Sequence, residues 1–462
     1  MTTNHSPNGS LVDQYSFYKR FYRLTAINIL SNIIIPLSGS ISLAFLGHLD
    51  AIEGLAGVSI ASPFFNGIYF VLGCLRMGTT GVTAQAIGRD DQEEMLLVGL
   101  RNGFIALCIG LLVLLLQSPL SSIWFTQLMA STDAVRASGT DYFGTRIWGA
   151  PAVLLNLVLI GWLLGREQSG IVLIISIVGN GANIFLDYTL IVQQGWDSGG
   201  AGIAQALSQY LMLFVGIAWL TREVTWSEIR AVSNRFWDVE AFTSVFALNG
   251  NLLLRSFCNM SVFIIFFSLS SGMGTETLTE NALLIQVFSF AIYCFDGVGF
   301  ATETLIGSYE GSSEKERLLP TLRLAVFTSL FMAVVVSTAF VAYPETLFGL
   351  FTDHADIISI VKIHVPWLFL LLGSCSIVAV LDAYFAGLAR GEALRNAALL
   401  GVTVGFVPVA YASQYFHSNH ILLLAIGMSM TVKVIVMLVQ LFFWYVETCS
   451  ETSEQKAAIP PT

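Results

Sequence analysis

The chain contains 462 residues, of which 55% are hydrophobic and only 11% are charged, and its formal net charge at pH 7 is −10. Its mean hydropathy is +0.73. Soluble domains carry about 25% charged residues, so this composition excludes a soluble enzyme, a disordered protein and a nucleic-acid-binding protein. It predicts an integral membrane protein, and at ~20 apolar residues per span the length accommodates about a dozen transmembrane helices.

Apolar segments separated by short polar loops predict twelve transmembrane helices. The segments cover residues 25–46, 54–88, 96–117, 147–165, 170–194, 201–220, 243–270, 278–309, 319–342, 361–388, 396–415 and 420–446. Backbone polar groups must be paired inside the hydrocarbon, and segments of this length and composition achieve that as α-helices. The second and eighth segments exceed a ~30 Å hydrocarbon layer, so we expect them to tilt, bend or project from it.

Lysine and arginine residues are concentrated on one side of the predicted membrane. Loops and tails on the side of both termini hold most of the 21 basic residues, whereas the opposite side holds only Arg136, Arg146 and Lys362. By the positive-inside rule the termini are cytoplasmic. We therefore expect a multi-pass protein of the plasma membrane, which is the inner membrane in a bacterium, with both termini in the cytoplasm.

The two halves of the sequence resemble each other. Residues 81–89 (GVTAQAIGR) match residues 300–308 (FATETLIGS), and Asn156 and Gly161 correspond at one common spacing to Asp382 and Gly387. Because six spans separate each matched pair, both members have the same membrane orientation, as in transporters with two parallel repeats. We predict a cytoplasmic tail (1–20), an N-lobe of helices one to six (21–220), a cytoplasmic linker (221–242), a C-lobe of helices seven to twelve (243–446) and a second cytoplasmic tail (447–462).

Ionisable residues inside the spans are the first candidates for function, since each costs about 2.5–3.5 kcal/mol to insert. In the fifth segment Asn183 and Asp187 lie four residues apart on one helical face, and Asn180 lies three residues before Asn183. A buried carboxylate beside amide oxygens can bind a proton or a desolvated Na⁺. The alternative is a polar contact that joins two helices.

The second half contains three further intramembrane acids, Asp296, Glu303 and Asp382. They could carry a coupling ion, or they could form ion pairs with basic residues inside the membrane, which are Arg76, Arg255 and Lys433. We favour ion pairing for Glu303 and leave both interpretations open for Asp296 and Asp382.

We also expect a cavity that binds lipophilic cations as substrates. Its candidate lining residues are Asn156, Arg76, Met77, Arg255, Met260 and Tyr293. Met and aromatic residues at such positions more often serve helix packing or lipid contact. We find no P-loop, GxSxG or HExxH motif, so the sequence predicts no nucleotide hydrolysis.

Several short motifs together resemble the multidrug and toxin extrusion (MATE) transporters, specifically the DinF-like branch. They are PLSG (36–39), AFLGHL (44–49), LRMGTTGVTAQA (75–86), NLVLIGWLLG (156–165), the Asn180/Asn183/Asp187 segment, Leu254-Arg255-Ser256, Asp296-Gly297 with Glu303, and Asp382 with Gly387, Arg390, Arg395 and Asn396. The resemblance covers about residues 20–445.

The resemblance implies an all-α protein with twelve transmembrane helices in two pseudo-symmetric six-helix bundles around a V-shaped central cavity. It further implies a monomeric antiporter in the lipid bilayer that exports small amphipathic or cationic organic compounds in exchange for H⁺ or Na⁺. No cofactor is expected, and no metal unless Na⁺ binds at Asp187. The DinF-like branch assigns its cation site to an Asp on the first helix with the Asn and Asp of the fifth, which match Asn183 and Asp187 here.

The first-helix position is Ser42 in this chain, and a serine hydroxyl cannot take up the proton. Either Asp187 alone carries the coupling charge, with Ser42, Asn180, Asn183 and Gln205 as oxygen ligands, or coupling has moved to the C-lobe acids. Weak or lost coupling is a third possibility. We favour Asp187 because it retains an amide neighbour on its own helix.

Two other functions fit a polytopic membrane protein. A lipid or glycolipid flippase would need basic cavity residues for phosphate, and only Arg76 and Arg255 qualify in the sequence. A membrane enzyme acting on lipid would need histidines or carboxylates clustered at one interface. The six histidines are spread over tail, loops and span ends, at His5, His48, His354, His364, His417 and His420.

Overall fold

The computed structural model describes residues 7–47, 52–128, 132–352 and 355–457. Within these residues, twelve helices are long and apolar enough to cross a membrane, which confirms the predicted all-α, twelve-span architecture. His5, His48 and His354 lie outside the described residues.

Each half of the chain supplies six spans. The helices of the first six are Pro7–Gly47; Ile52–Leu72 with Cys74–Gly88; Gln92–Leu115; Asp133–Arg146 with Ala150–Gly165; Ser169–Asp187; and Asp197–Glu223. The helices of the last six are Val239–Gly272; Thr275–Gly311; Leu318–Ala342; Trp367–Gly387; Gly391–Leu400 with Val407–Phe416; and Asn419–Ala457. Short helices outside the spans are Gln117–Ser122, Trp226–Val232, Pro344–Phe348 and Ala355–His364.

Several helices extend beyond the predicted apolar segments. The first helix begins at Pro7, inside the predicted tail, and the last continues to Ala457. The fourth span begins at Asp133 rather than at residue 147, because the polar helix Asp133–Arg146 continues through one 3₁₀ turn into the apolar helix. Hydropathy marks where a chain enters the hydrocarbon, whereas a polar sequence can continue the helix into the interface.

Buried apolar side chains of the two halves form a common cluster at one end of the molecule and separate clusters at the other end. The largest cluster contains Leu75 of the second span together with Leu305, Leu381 and Phe385 of the second half. At the opposite end each half has a separate cluster, one around Phe65 and the other around Phe288 and neighbouring residues. The two halves therefore form the arms of a V that close at the predicted cytoplasmic end.

Small residues allow the backbones to approach closely where the arms meet. A Cβ atom at Gly81 would overlap the carbonyl oxygen of Ala386, and one at Gly307 would lie 2.6 Å from the Cβ of Ala84. The Gln85 amide donates to the Gly387 carbonyl (2.8 Å), and the Thr304 hydroxyl donates to the Leu164 carbonyl (3.0 Å). In the bilayer such close packing and hydrogen bonding replace the hydrophobic effect as the force that holds helices together.

We expect Gly81→Ala to weaken this contact between the halves by about 2 kcal/mol, because the added methyl group meets backbone that cannot rotate away. Thermal unfolding of the purified protein should show a lower Tm. Gly103→Ala is the matched control, since no heavy atom lies within 4 Å of a Cβ at that position. An equal Tm for both variants would contradict the close contact.

The predicted linker 221–242 packs against the N-lobe as short helical turns. The Arg101 guanidinium donates to the carbonyl of Arg235 at 2.7 Å, and Arg235 pairs with Glu93 at 2.8 Å. Thr225 caps the helix Trp226–Val232. Its backbone N–H donates to the Glu228 carboxylate and lowers the pKa of that carboxyl below its usual range.

Candidate functional site

Asp187 lies where the regular part of the fifth span ends. The α-helix runs from Ser169 to Asp187, and a π-helical segment, Tyr188–Gln193, follows directly. A π-helical turn inside a longer helix is frequent at functional sites. The Asp187 side chain is fully buried between the first, fifth and sixth spans.

Asn183 and Ser42 connect Asp187 to the neighbouring helices. The Ser42 hydroxyl donates to Oδ2 of Asp187 and lies 3.4 Å from Oδ1 of Asn183. Oδ1 of Asn183 also accepts hydrogen bonds from the Ser38 hydroxyl at 2.9 Å and from the Gln205 amide at 3.0 Å. The structure thus brings Asp187, Asn183, Ser42 and Gln205 together and adds Ser38, which the sequence analysis missed.

Two buried polar atoms of this cluster lack a hydrogen-bond partner among the described residues. They are Oδ1 of Asp187 and Nδ2 of Asn183. A buried ionised oxygen without a donor costs free energy, which a proton or a cation bound at Oδ1 of Asp187 would reduce. The Asn180 amide does not join this cluster, because it donates to the Ser176 carbonyl (2.8 Å) on its own helix.

Two adjoining cavities of about 450 and 390 Å³ lie along the first span. Asp187 and Ser42 line the larger cavity, and Asn180 and Tyr293 line the smaller one. Residues common to both walls are Pro36, Gly39, Asn66, Arg146 and Gln205. These volumes fall within the range that binds drug-sized ligands. Tyr293 belongs to the second half, so the smaller cavity faces the space between the arms.

Arg146 was counted among the few basic residues of the external loops, but the structure places it in the wall of both cavities. Its guanidinium lies over the Phe65 ring, 4.6 Å from the centroid, and donates to the Tyr142 hydroxyl at 2.6 Å. Hydropathy does not indicate this position, because the apolar segment of the fourth span begins one residue later, at Ile147.

The acids of the C-lobe lie in a different environment. Asp382 forms an ion pair with Arg255, and Glu303 lies 3.4 Å from Arg76 of the first half. Asp296 shares a cavity of about 170 Å³ with both members of the Asp382–Arg255 pair and with Lys433. Within the described residues Asp296 itself has no hydrogen bond or ion pair. Both arginines that a flippase would need for phosphate are thus already paired with carboxylates.

Of the remaining residues predicted to line a substrate cavity, some line a cavity and others pack between helices. Met77 belongs to the buried cluster that joins the two halves, and Asn156 is buried and donates to the Gln209 carbonyl at 2.9 Å. Met260 packs against Gly67 of the second span. Tyr293 and Arg255 do line cavities, one in each half.

A second polar cluster was not predicted from the sequence. It lies in the C-lobe, at the end away from the contact with the N-lobe. The Glu280 carboxylate contacts the His364 ring and accepts from the Asn419 amide at 3.2 Å. The His364 and His420 ring centroids are 4.2 Å apart. No group of three or more His, Cys, Asp or Glu side chains in the described part of the chain is arranged to hold a metal ion. Because its polar groups bind one another, this cluster ties helix ends together.

Comparison with known proteins agrees with the fold. The model of the MatE family matches the chain twice, at residues 28–189 and 252–412. DNA damage-inducible protein F of Escherichia coli (strain K12) is 28% identical over 418 residues, which is 90% of each chain. The probable multidrug resistance protein NorM of Thermotoga maritima is 25% identical over 365 residues, covering 78% of this chain and 77% of the relative.

Solved structures show the same fold at low sequence identity. A multidrug resistance MATE family transporter of the MOP superfamily in an outward-facing conformation superimposes with a TM-score of 0.83 at 19% identity, over 94% of this chain and 96% of the other. A MATE crystal structure in the straight conformation gives 0.82, over 94% and 97%. Because the family model covers more than half of the sequence, the chain belongs to the MatE family of multi-pass membrane transporters.

Proposed function

We propose that this protein is a secondary antiporter that exports amphipathic organic compounds, including cations, in exchange for protons by alternating access. It acts as a monomer in the plasma membrane, with both termini in the cytoplasm. Its relatives include probable multidrug resistance proteins, which supports this substrate class.

The observation that carries the proposal is the Asp187 carboxylate in the wall of the 450 Å³ cavity. Its Oδ1 is buried and has no partner among the described residues. A proton or a cationic substrate group can neutralise this oxygen, but both cannot do so at once. Such mutual exclusion is what exchange requires, since each ligand then favours a different state of the transporter.

The arrangement of oxygens favours H⁺ over Na⁺ as the coupling ion. Na⁺ needs several oxygen ligands, as hard cations do. Oδ1 of Asn183 has two lone pairs, and the Ser38 and Gln205 donors already occupy them. Of the buried oxygens in this cluster, Asp187 Oδ1 lacks a hydrogen-bond partner among the described residues, and one oxygen is sufficient for a proton.

The joined end of the V faces the cytoplasm if the positive-inside rule holds. The cavities beside Asp187 are lined by the outer halves of the first, second, fourth and sixth spans. The described conformation is then open outward, so protons reach Asp187 from outside the cell. This assignment agrees with the similarity to an outward-facing transporter.

Ethidium flux in proteoliposomes tests the proposal. We expect an imposed pH gradient, but not an equal Na⁺ gradient, to drive ethidium against its concentration, with proton movement in the opposite direction. Asp296→Asn should retain at least half of this flux if coupling lies in the N-lobe. Flux that follows the Na⁺ gradient alone would reject the proton, and absence of flux under either gradient would reject antiport.

A further inference from the structure

Arg146 is a fixed positive charge in the wall of the proposed substrate cavities. Two contacts hold its guanidinium, one with the Phe65 ring and one with the Tyr142 hydroxyl. Tyr142 and Phe65 are themselves fully or almost fully buried, so the guanidinium has a rigid support. An arginine held in this way presents its remaining N–H groups in a planar fork that suits carboxylate or phosphate.

Among the described residues no carboxylate lies within ion-pair distance of Arg146. Arg76 and Arg255, the two arginines predicted from the sequence to lie inside spans, both have acidic partners. The acidic residue in the wall of Arg146's larger cavity is Asp187, which interacts with Ser42 instead. This cavity therefore contains one acid and one base that do not neutralise each other directly.

The requirements of exchange select among substrate charges. A purely anionic substrate would bind better once Asp187 is protonated, so proton and substrate would travel together rather than in opposite directions. A purely cationic substrate would compete with the proton but would be repelled by Arg146. A zwitterion satisfies both groups, and its cationic end still competes with the proton at Asp187.

We propose that the preferred substrates are zwitterionic amphipaths, with the anionic group bound by Arg146 and the cationic group at Asp187. This inference rests on the proposed antiport function. Apolar and aromatic neighbours such as Leu43, Val58 and Tyr69 line the same cavities and suit the apolar body of such a molecule. Arg146 is then a specificity-determining residue that contacts substrate.

Two dyes that differ by one ester test the substrate class. Rhodamine 110 carries a free carboxylate and is zwitterionic when its xanthene is protonated, whereas rhodamine 123 is its cationic methyl ester. In proteoliposomes under a pH gradient, we expect the KM for the zwitterion to be about tenfold lower than that for the ester. Arg146→Gln should raise the KM for the zwitterion about tenfold and leave that for the ester within twofold or lower it.

Arg136→Gln is the matched control, because it removes the same charge from the same helix at a position that pairs with Asp133. Arg146→Lys should recover part of the preference, since it restores charge without the fork. If both dyes move under the gradient but Arg146→Gln changes neither KM, the zwitterion inference is overturned while antiport stands. If neither dye nor ethidium moves, the antiport proposal fails, and the inference fails with it.

Discussion

Asp187→Asn is expected to lower proton-driven ethidium export at least a hundredfold while leaving the protein folded. The amide has nearly the same size and its oxygen can still accept from Ser42, but it cannot take up or release a proton. Substrate should still equilibrate down its own gradient, because the cavity keeps its shape. The measurement compares uphill and downhill ethidium flux in the same proteoliposomes.

The control for this substitution is Asp141→Asn, at an exposed position on the helix Asp133–Arg146. It makes the same chemical change outside the cavity and should leave uphill export unchanged. Uphill export at the native rate in Asp187→Asn would show that another carboxylate couples transport. Asp296 would then be the next candidate, since Asp382 and Glu303 are paired with arginines.

The sequence predicted the fold well because the bilayer restricts what an apolar segment can become. Twelve segments of sufficient length had to be helices, and the halves repeated. The ends of the helices were less predictable. Arg146 lies one residue before an apolar segment and was therefore assigned to a loop. In the structure it is the last residue of a helix that continues through the turn 147–149 into the apolar helix, and this places it in the cavity wall.

The candidate site could be predicted in part. Helical spacing together with the family resemblance grouped Asp187, Asn183, Ser42 and Gln205, and the structure brings these residues together. Spacing did not reveal that Asn180 turns towards its own helix, or that Ser38 and not Asn180 binds the Asn183 oxygen. Those outcomes depend on side-chain rotamers and on how the first helix packs against the fifth, which local sequence patterns do not specify.

Ion pairs across the molecule were the least predictable feature. The sequence contains three intramembrane bases and, in its second half, three intramembrane acids, and it does not specify which of them pair. In each half of the structure, a glycine allows the fourth span to pack closely against the second span. Gly161 lies against the backbone of Arg76, and Gly387 lies against the backbone of Glu303. These equivalent contacts in the two halves present Arg76 and Glu303 to each other across the junction of the arms.

Under the proposed alternating access, opening of the cytoplasmic end would break this pair, so we expect Arg76→Gln to favour the inward-open state by about 2 kcal/mol, which is roughly thirtyfold in population. Glu303 is only 1% exposed, so loss of Arg76 leaves a buried carboxylate without its countercharge. Arg76 also loses its contact with the Phe300 ring, whose centroid lies 3.8 Å from the guanidinium carbon. Labelling of Thr304→Cys by a membrane-impermeant maleimide from the cytoplasmic side reports the change, in a background where the exposed Cys108 is replaced together with Cys449 of the predicted cytoplasmic tail.

The exchanged double variant, Arg76→Glu with Glu303→Arg, separates the charge interaction from packing. If the ion pair holds the arms together, the double variant should be labelled more slowly than Arg76→Glu alone, because the pair is restored in reverse order. The glycine contacts remain in every variant, so they cannot produce this difference. Equal labelling of the single and double variants would assign closure to backbone packing and remove the ion pair from the gating mechanism.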